Sequence, residues 1–349
     1  MKSSLSLKNA LIPLIVLIGL LAFNVIVYGD DALSGSNQFI LLIGGAVAAM
    51  VGFANKISYK TMLDKVADNL KSVTGAILIL LFVGALAGTW LISGVIPAMI
   101  YYGLQILHPS IFLPACVIIC ALISLATGSS WTTSATVGIA LIGIGKALGI
   151  PVGMVAGAVL SGAYFGDKLS PLSDTTNLAP AMAGADLFTH IRYMTHTTVP
   201  SILVTLIVFI ILGIVFSGDG TANSQELLAA MNEVFTINLL LFIVPIIVIV
   251  MIVRKTPPLV AFFVGTILGA IAALIFQQEL LLSLSGESTL SVYGTYQVII
   301  DAITVSTEIE TTSAALTDLF QSGGMEGMLG TVWLITVSYT HLTLPTTLV

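Results

Sequence analysis

Long apolar runs alternate with short polar segments along the chain. Several runs, such as residues 11–28 and 237–253, reach or approach the roughly 18 apolar residues that mark a membrane-spanning helix. Only helices and closed barrels satisfy their backbone groups inside lipid, and these runs are too long for barrel strands. The pattern predicts an all-α polytopic membrane protein with apolar segments at residues 9–28, 38–54, 74–94, 96–107, 110–127, 135–149, 152–165, 199–217, 236–253 and 258–277.

The composition agrees with this fold class. Of the 349 residues, 57% are hydrophobic and 8% are charged, whereas soluble domains are ~25% charged. The net charge of −6 includes no basic tract that would indicate a nucleic-acid partner. Cys116 and Cys120 lie four positions apart in an apolar segment. This spacing on a helix is poor for a disulfide, and two thiols are too few for a metal site, so we expect packing residues.

Basic residues in the short loops predict the orientation of the chain, because they favour the cytoplasmic side. Lys2 and Lys8 place the N-terminus in the cytoplasm, and we expect the first helix to stay attached rather than to be cleaved. The lysines of residues 55–72, and Arg254 with Lys255, also face the cytoplasm in this scheme. The acidic segment 217–233 lies outside.

Two stretches share an order of polar amphipathic residues followed by small apolar ones. Residues 61–90 are basic and residues 312–335 are acidic. A sign reversal of this kind is what an inverted-topology repeat requires, so we predict an inverted-repeat secondary transporter. We expect a first repeat over 1–235, an incomplete second repeat over 236–336, and a non-native tail at 337–349.

A hydroxyl-rich break interrupts the apolar pattern at residues 124–138, around Trp131. Irregular backbone within a membrane is tolerated where it lines a cavity or is buried in protein, and broken helices hold ions in transporters. The alternative is that these small residues serve helix packing. The proposed ion-pathway residues here are Ser129, Ser130, Thr132 and Thr133.

The segment GAYFGDKLSPLSDTTNLAPAMAG, residues 162–184, is unusually polar for this chain. Pro171 disrupts helices, so we expect DKLSPLSDTTN to be a non-helical connection. Its oxygens suit a hard cation such as Na⁺, and Asp174 is the favoured carboxylate. Alternatively, Ser173 or Asp174 caps a following helix, and Asp167 and Lys168 form an ion pair. The proposed ion-binding residues here are Asp167, Ser173, Asp174, Thr175, Thr176 and Asn177.

Enzyme signatures are absent from the sequence: it has no nucleophile elbow, no phosphate-binding P-loop and no H-E-x-x-H motif. We expect no cofactor. Residues 185–200 are predicted to form an amphipathic interfacial helix.

The two polar motifs resemble those of the NhaC family of bacterial Na⁺/H⁺ antiporters. The likeness is carried by GSSWTTSATVGIALIGIGKALGIP and by GAVLSGAYFGDKLSPLSDTTNLAPAMAGADLFTHIRYM, and it extends over most of residues 1–336. The family motifs fall on Gly128–Trp131 and Phe165–Thr176. The resemblance implies an inverted-repeat carrier in the bacterial inner membrane, a homodimer that exchanges external H⁺ for cytoplasmic Na⁺.

The sequence-based hypothesis is therefore secondary active Na⁺/H⁺ exchange, with Asp174 alternating between a Na⁺-bound carboxylate and a protonated carboxyl. Some relatives instead exchange malate with H⁺ for lactate with Na⁺, and Lys168 and Asn177 are the candidate contacts for a small carboxylate. The third alternative is a channel or a non-transporting membrane subunit, which would need a continuous polar pore or no transport site at all.

Overall fold

The computed structural model describes residues 7–106, 108–171, 173, 176, 179–180, 185–216, 224–312, 314–317 and 319–346. Short 3₁₀ turns lie at Gly29–Ser34, Leu239–Phe242 and Glu326–Met328, and a π-helical stretch covers Ser134–Gly138. Strands β1 (Thr307–Glu308) and β2 (Gln321–Ser322) pair antiparallel. The helices are α1 Leu7–Tyr28, α2 Ser36–Ala54, α3 Tyr59–Ile92, α4 Val95–Ile106, α5 Pro109–Thr127, α6 Ser130–Thr133, α7 Ile139–Ala147, α8 Val152–Leu169, α9 Leu187–Val215, α10 Ser224–Val234, α11 Ile243–Val253, α12 Pro258–Phe276, α13 Gln278–Ser285, α14 Val292–Thr304, α15 Ala314–Thr317 and α16 Leu329–Thr346.

Six helices in the described part of the chain are long and apolar enough to cross a membrane. A seventh span is possible if Leu227–Val234 and Leu239–Val253, which meet at 84°, cross together. The predicted all-α polytopic fold is confirmed. The six candidate spans are Leu11–Tyr28, Ser36–Ala54, Val73–Ile92, Pro109–Thr127, Leu187–Val215 and Pro258–Phe276.

The chain forms two compact units, and α3 begins in one and ends in the other. The first unit contains the chain up to Leu81 together with the segment from Met325 onward; within it, α2 contacts both α1 and α16. Its small core includes Ala48 and Met62. The second unit, Phe82–Gly324, holds the main hydrophobic core and both polar motifs.

Helices α5 and α8 pack backbone against backbone within the second unit. A Cβ added at Gly162 would overlap the carbonyl oxygen of Val117, and one added at Gly166 would overlap that of Ala121. Such a close approach requires glycine, because no side chain fits between the backbones of the two helices. The hydroxyl of Ser170 donates across the same interface to the Leu125 carbonyl at 2.8 Å.

One buried glutamine connects three places where helices end. Gln277 is 2% exposed and follows α12. Its Oε1 accepts from the N–H of Thr236 at 3.0 Å, while its Nε2 donates to the carbonyls of Ser93 at 3.2 Å and Thr236 at 3.0 Å. These bonds satisfy backbone groups that the ends of neighbouring helices leave unpaired.

The two stretches that share a sequence pattern fold differently. Residues 61–90 lie in the single helix α3, whereas residues 312–335 form α15, β2, a 3₁₀ turn and the start of α16. Gly324 explains part of this difference, because its φ of +54° and its contact with the Val305 carbonyl both favour glycine and a turn. The inverted repeat stays a prediction.

Helix α9 is longer than the sequence pattern suggests. The expected interfacial helix at 185–200 is instead the first half of this 29-residue helix, which continues through Pro200. Asp186 caps it, since the N–H and hydroxyl of Thr189 donate to the Asp186 carboxylate at 2.9 and 3.0 Å. These bonds lower the pKa of Asp186, so the cap stabilises the helix above the usual aspartate pKa and is lost as pH falls through the lowered value.

The close contact between α5 and α8 at Gly162 should contribute to the stability of the protein. Gly162→Ala should lower the free energy of unfolding by about 1–3 kcal/mol, because the added methyl group meets backbone rather than a movable side chain. The matched control is Gly153→Ala on the same helix, where nothing lies within 4 Å of the added Cβ. Thermal unfolding of the purified protein in detergent measures both; equal melting temperatures for the two variants would contradict the proposed role of the contact.

Candidate functional site

The candidate site begins at the break between α5 and α6. Gly128 ends α5 in the left-handed conformation, with φ +71°, and its N–H donates to the Ser124 carbonyl at 2.8 Å. Ser129 is extended and caps the next helix, since its Oγ accepts from the Thr132 N–H at 3.2 Å. The chain therefore stops one helix and starts another within two residues. The broken helix predicted from the hydroxyl-rich segment is present.

The hydroxyls of this break divide into two groups. Those of Thr132 and Thr133 bond locally, to Ser129 Oγ at 2.9 Å and to the Ser129 carbonyl at 2.9 Å. Both threonines are buried. By contrast, Ser129 and Ser130 line a cavity. The threonines thus stabilise the break, and the serines are placed to contact a solute.

Asp167 lies at the C-terminal end of α8. This corrects the prediction of a non-helical connection starting at Asp167, because α8 continues to Leu169 and only then does Ser170 become extended before Pro171. Proline disrupts a helix when it lies in the interior, and it disfavours the helical conformation of the residue before it. Pro171 lies two positions beyond Leu169, so it ends the helix without disturbing the turn that contains Asp167. Asp167 is 8% exposed, and its Oδ2 accepts a hydrogen bond from Ser130 Oγ at 3.1 Å.

Lys168 faces away from this buried environment and is exposed. It does not line the cavity. Among the described residues, the salt bridge that forms is between Lys65 and Asp68. Asp167 and Lys168 therefore do not form the ion pair that was the alternative interpretation of their sequence.

The rest of the second motif is described in part. Thr176 Oγ1 donates to the carbonyls of Asp167 and Lys168 at 3.1 and 3.2 Å, which satisfies the last turn of α8. Ser173 Oγ accepts from the Thr176 N–H at 3.4 Å, in keeping with the capping alternative for Ser173. The predicted residues Asp174, Thr175 and Asn177 lie outside the described residues.

A cavity of about 520 Å³ connects the two motifs. Its size is within the usual range of small-molecule sites. Four of the predicted residues line it: Ser129, Ser130, Asp167 and Ser173. Its other lining residues are Thr127, Gly128, Trp131, Pro171, Ile252, Lys255, Thr256, Pro257 and Pro258.

The segment 252–258 was missed as part of the site. Its cations were interpreted only as markers of orientation, and nothing in the local pattern indicates that this turn lies beside Asp167, more than eighty positions earlier in the chain. The one available signal is the Pro257-Pro258 pair, which is typical of a helix start.

The cavity presents a buried carboxylate, several hydroxyls and one ammonium. Carboxylate and hydroxyl oxygens are the ligands that hard cations prefer. In the part of the chain that the structure describes, no cluster of three or more His, Cys, Asp or Glu side chains could hold a metal ion. The carboxylate and hydroxyl oxygens that line the cavity suit a hard cation or a proton.

A second cavity, of about 440 Å³, lies elsewhere in the same unit. Four carboxylates line it, and two of them accept hydrogen bonds: Gln321 Nε2 donates to Glu308, and Thr312 Oγ1 donates to Glu233. The four are Glu233, Glu279, Glu308 and Glu310.

Comparison with known proteins agrees with the motifs. The profile of the Na⁺/H⁺ antiporter family matches residues 162–344, just over half of the chain. The chain is 38% identical over 300 residues to the malate-2H⁺/Na⁺-lactate antiporter of Bacillus subtilis, covering 85% of this chain and 61% of that protein. It is 35% identical over 294 residues to the Na⁺/H⁺ antiporter NhaC of Alkalihalophilus pseudofirmus, covering 84% and 61%.

A third relative is an uncharacterised Na⁺/H⁺ antiporter of Haemophilus influenzae, 33% identical over 327 residues, with 93% of this chain and 67% of that protein covered. No solved structure matches the chain. The chain spans about three fifths of the length of the first two relatives. From the profile and these identities, the chain is a member of the Na⁺/H⁺ antiporter family and a multi-pass membrane protein.

Proposed function

We propose that this protein is a secondary active Na⁺/H⁺ antiporter that exchanges cytoplasmic Na⁺ for external H⁺. The observation that carries the proposal is the buried carboxylate of Asp167, bonded to Ser130 and facing a cavity at the junction of two interrupted helices. Membership in the family and the similarity to the Na⁺/H⁺ antiporter NhaC of Alkalihalophilus pseudofirmus support it. Relatives of this kind are transporters rather than enzymes.

The exchange follows from the cost of leaving a buried carboxylate charged and alone. Such a group is stabilised by a bound cation or by protonation, and one oxygen cluster accommodates only one of these at a time. Na⁺ binding to Asp167 therefore releases a proton, and protonation releases Na⁺. Ser130 assists both states, because its hydroxyl donates to the carboxylate and still offers lone pairs to an ion.

The proposed ion pathway joins both motifs. Ser129, Ser130 and Ser173 line the same cavity as Asp167 and supply hydroxyl oxygens. Asp174 is proposed as a second carboxylate, and Thr175 and Asn177 as further oxygen ligands. Thr132, Thr133 and Thr176 hold the broken backbone in place through their own hydrogen bonds. Movement of the part that carries both breaks would expose the cavity to each side in turn.

We further propose a bacterial plasma-membrane location, a cytoplasmic N-terminus and a homodimer. The basic loops and the bacterial relatives support the first two, and the family resemblance supports the third. Na⁺ and H⁺ are cargo, and the mechanism uses no cofactor.

Exchange of organic acids is the second candidate function. The observation that favours it is the presence of Lys255 among the residues that line the cavity, since the ammonium of a lysine can contact a carboxylate. The malate-2H⁺/Na⁺-lactate antiporter among the relatives also supports it. Lys168, the contact expected from the sequence, lies outside the cavity lining.

Asp167→Asn should abolish Na⁺-dependent dissipation of a pH gradient in everted membrane vesicles. The amide keeps the size of the side chain and an acceptor for Ser130, but it carries no charge and takes up no proton. Asp174→Asn, run beside it, should give the same loss. The matched control is Asp68→Asn, since Asp68 is exposed and its ion pair with Lys65, at 3.8 Å, is worth little.

Exchange that persists in Asp167→Asn at the wild-type rate would remove Asp167 from the mechanism. A gradient that responds only when malate or lactate is present would assign the protein to organic-acid exchange. Flux that does not saturate with Na⁺ would instead favour a channel.

Ser130→Ala should raise the Na⁺ concentration for half-maximal exchange by about tenfold, with normal amounts of protein in the membrane. A hydrogen bond to a charged group contributes roughly 1.5–3 kcal/mol, and its loss also removes an oxygen next to the ion. Ser134→Ala is the control on the neighbouring turn, because the Ser134 hydroxyl bonds to the Ser130 carbonyl and does not line the cavity. If both variants behave like the wild type, Ser130 is not an ion ligand.

A further inference from the structure

Lys255 occupies a backbone conformation that favours glycine. It follows the C-cap residue Arg254 at the end of α11 and has φ +64°. Its N–H donates to the Ile252 carbonyl at 2.8 Å, and the Thr256 N–H donates to the Met251 carbonyl at 3.0 Å. This is the Schellman arrangement, in which glycine usually takes the left-handed position because a Cβ is disfavoured there. A lysine at this position therefore carries a conformational cost.

The same lysine lines the cavity that contains Asp167. Lys255 is exposed, and the salt bridge found among the described residues does not involve it. No other cationic residue lines this cavity in the part of the chain described. The cavity therefore has one carboxylate that attracts cations and one ammonium of its own.

We propose that the ammonium of Lys255 is a built-in competitor of the transported cation and sets the apparent affinity of the cavity for Na⁺. This inference rests on the proposed function. Without a bound ion, the ammonium partly balances the field of the Asp167 carboxylate; an arriving Na⁺ meets its repulsion and must displace it toward solvent. The long flexible stem of lysine permits this displacement, because the strongly hydrated head can move between the cavity and bulk water.

Lys56 provides a matched comparison in the first unit. It has the same φ of +64°, its N–H donates to the Phe53 carbonyl at 2.9 Å, and the Ile57 N–H donates to the Gly52 carbonyl at 3.0 Å. Lys56 does not line the cavity that contains Asp167. The backbone geometry of the two lysines is therefore alike, and they differ in that Lys255 lines the cavity that contains Asp167 and Lys56 does not.

The test is Na⁺ titration of Lys255→Gln at constant ionic strength, with choline replacing Na⁺. The half-maximal Na⁺ concentration for dissipation of the pH gradient should fall about three- to tenfold, the scale of a screened charge–charge interaction across one cavity. Na⁺-dependent thermal stabilisation in detergent should begin at correspondingly lower Na⁺, because a ligand that binds the folded state stabilises it. Lys255→Arg keeps the charge and should not lower the half-maximal Na⁺ concentration, and Lys56→Gln should behave like the wild type.

Glycine variants separate the charge from the backbone. Lys255→Gly should raise the melting temperature by relieving the left-handed conformation and should also lower the half-maximal Na⁺ concentration. Lys56→Gly should raise the melting temperature alone.

The outcomes distinguish this inference from the function on which it rests. A wild-type protein with neither Na⁺-dependent exchange nor Na⁺-dependent stabilisation would overturn both. A wild-type protein that responds, with an unchanged or raised half-maximal concentration in Lys255→Gln, would overturn the competitor role and leave the antiporter standing. Loss of a malate-dependent response alone would also overturn it, by making Lys255 a carboxylate contact.

Discussion

The backbone contact between α5 and α8 is the constraint on which the candidate site depends. Gly162 and Gly166 allow the two helices to touch at main-chain distance. Asp167 follows Gly166 directly, and Ser130 follows the end of α5, so the contact brings a carboxylate and a hydroxyl within hydrogen-bond range. The two glycines, which have no side chains, therefore set the distance between the helices, and the hydrogen bond between Ser130 and Asp167 then forms across it.

The polar residues of the site perform two separate tasks. A broken helix in an apolar setting needs partners for its free N–H and carbonyl groups, and the hydroxyls of Ser129, Thr133 and Thr176 provide them. Once those needs are met, Ser130 and Asp167 can face the cavity. This division explains why so many hydroxyls occur in a short stretch: much of the motif maintains the break, and a smaller part is available to an ion.

Much of this arrangement could be predicted from the sequence, because apolar length and hydroxyl-rich interruptions are local signals. The break at Gly128 and most helix ends fall close to their predicted positions, whereas α3 and α9 begin earlier in the chain than predicted. Asp167 and Ser130 both line the cavity, and their role as ion ligands stays a prediction. The prediction that a non-helical connection begins at Asp167 is wrong, because the helix continues to Leu169 before Pro171. The place of Lys255 in the cavity lining could not be predicted, because it depends on tertiary packing. Its positive φ could not be predicted either, because a hydropathy pattern contains no information on the backbone angles of a lysine.

The single amide of Gln277 has a consequence for how the second unit opens. Because it bonds to the backbone at Ser93 and at Thr236, loosening either segment takes a partner away from the buried amide of Gln277. The ends of α3, α10 and α12 are thereby coupled into one cooperative element. In hydrogen exchange, the amide proton of Thr236 would consequently share the slow protection of the surrounding core, although it lies in a non-helical turn where rapid local fraying is the rule.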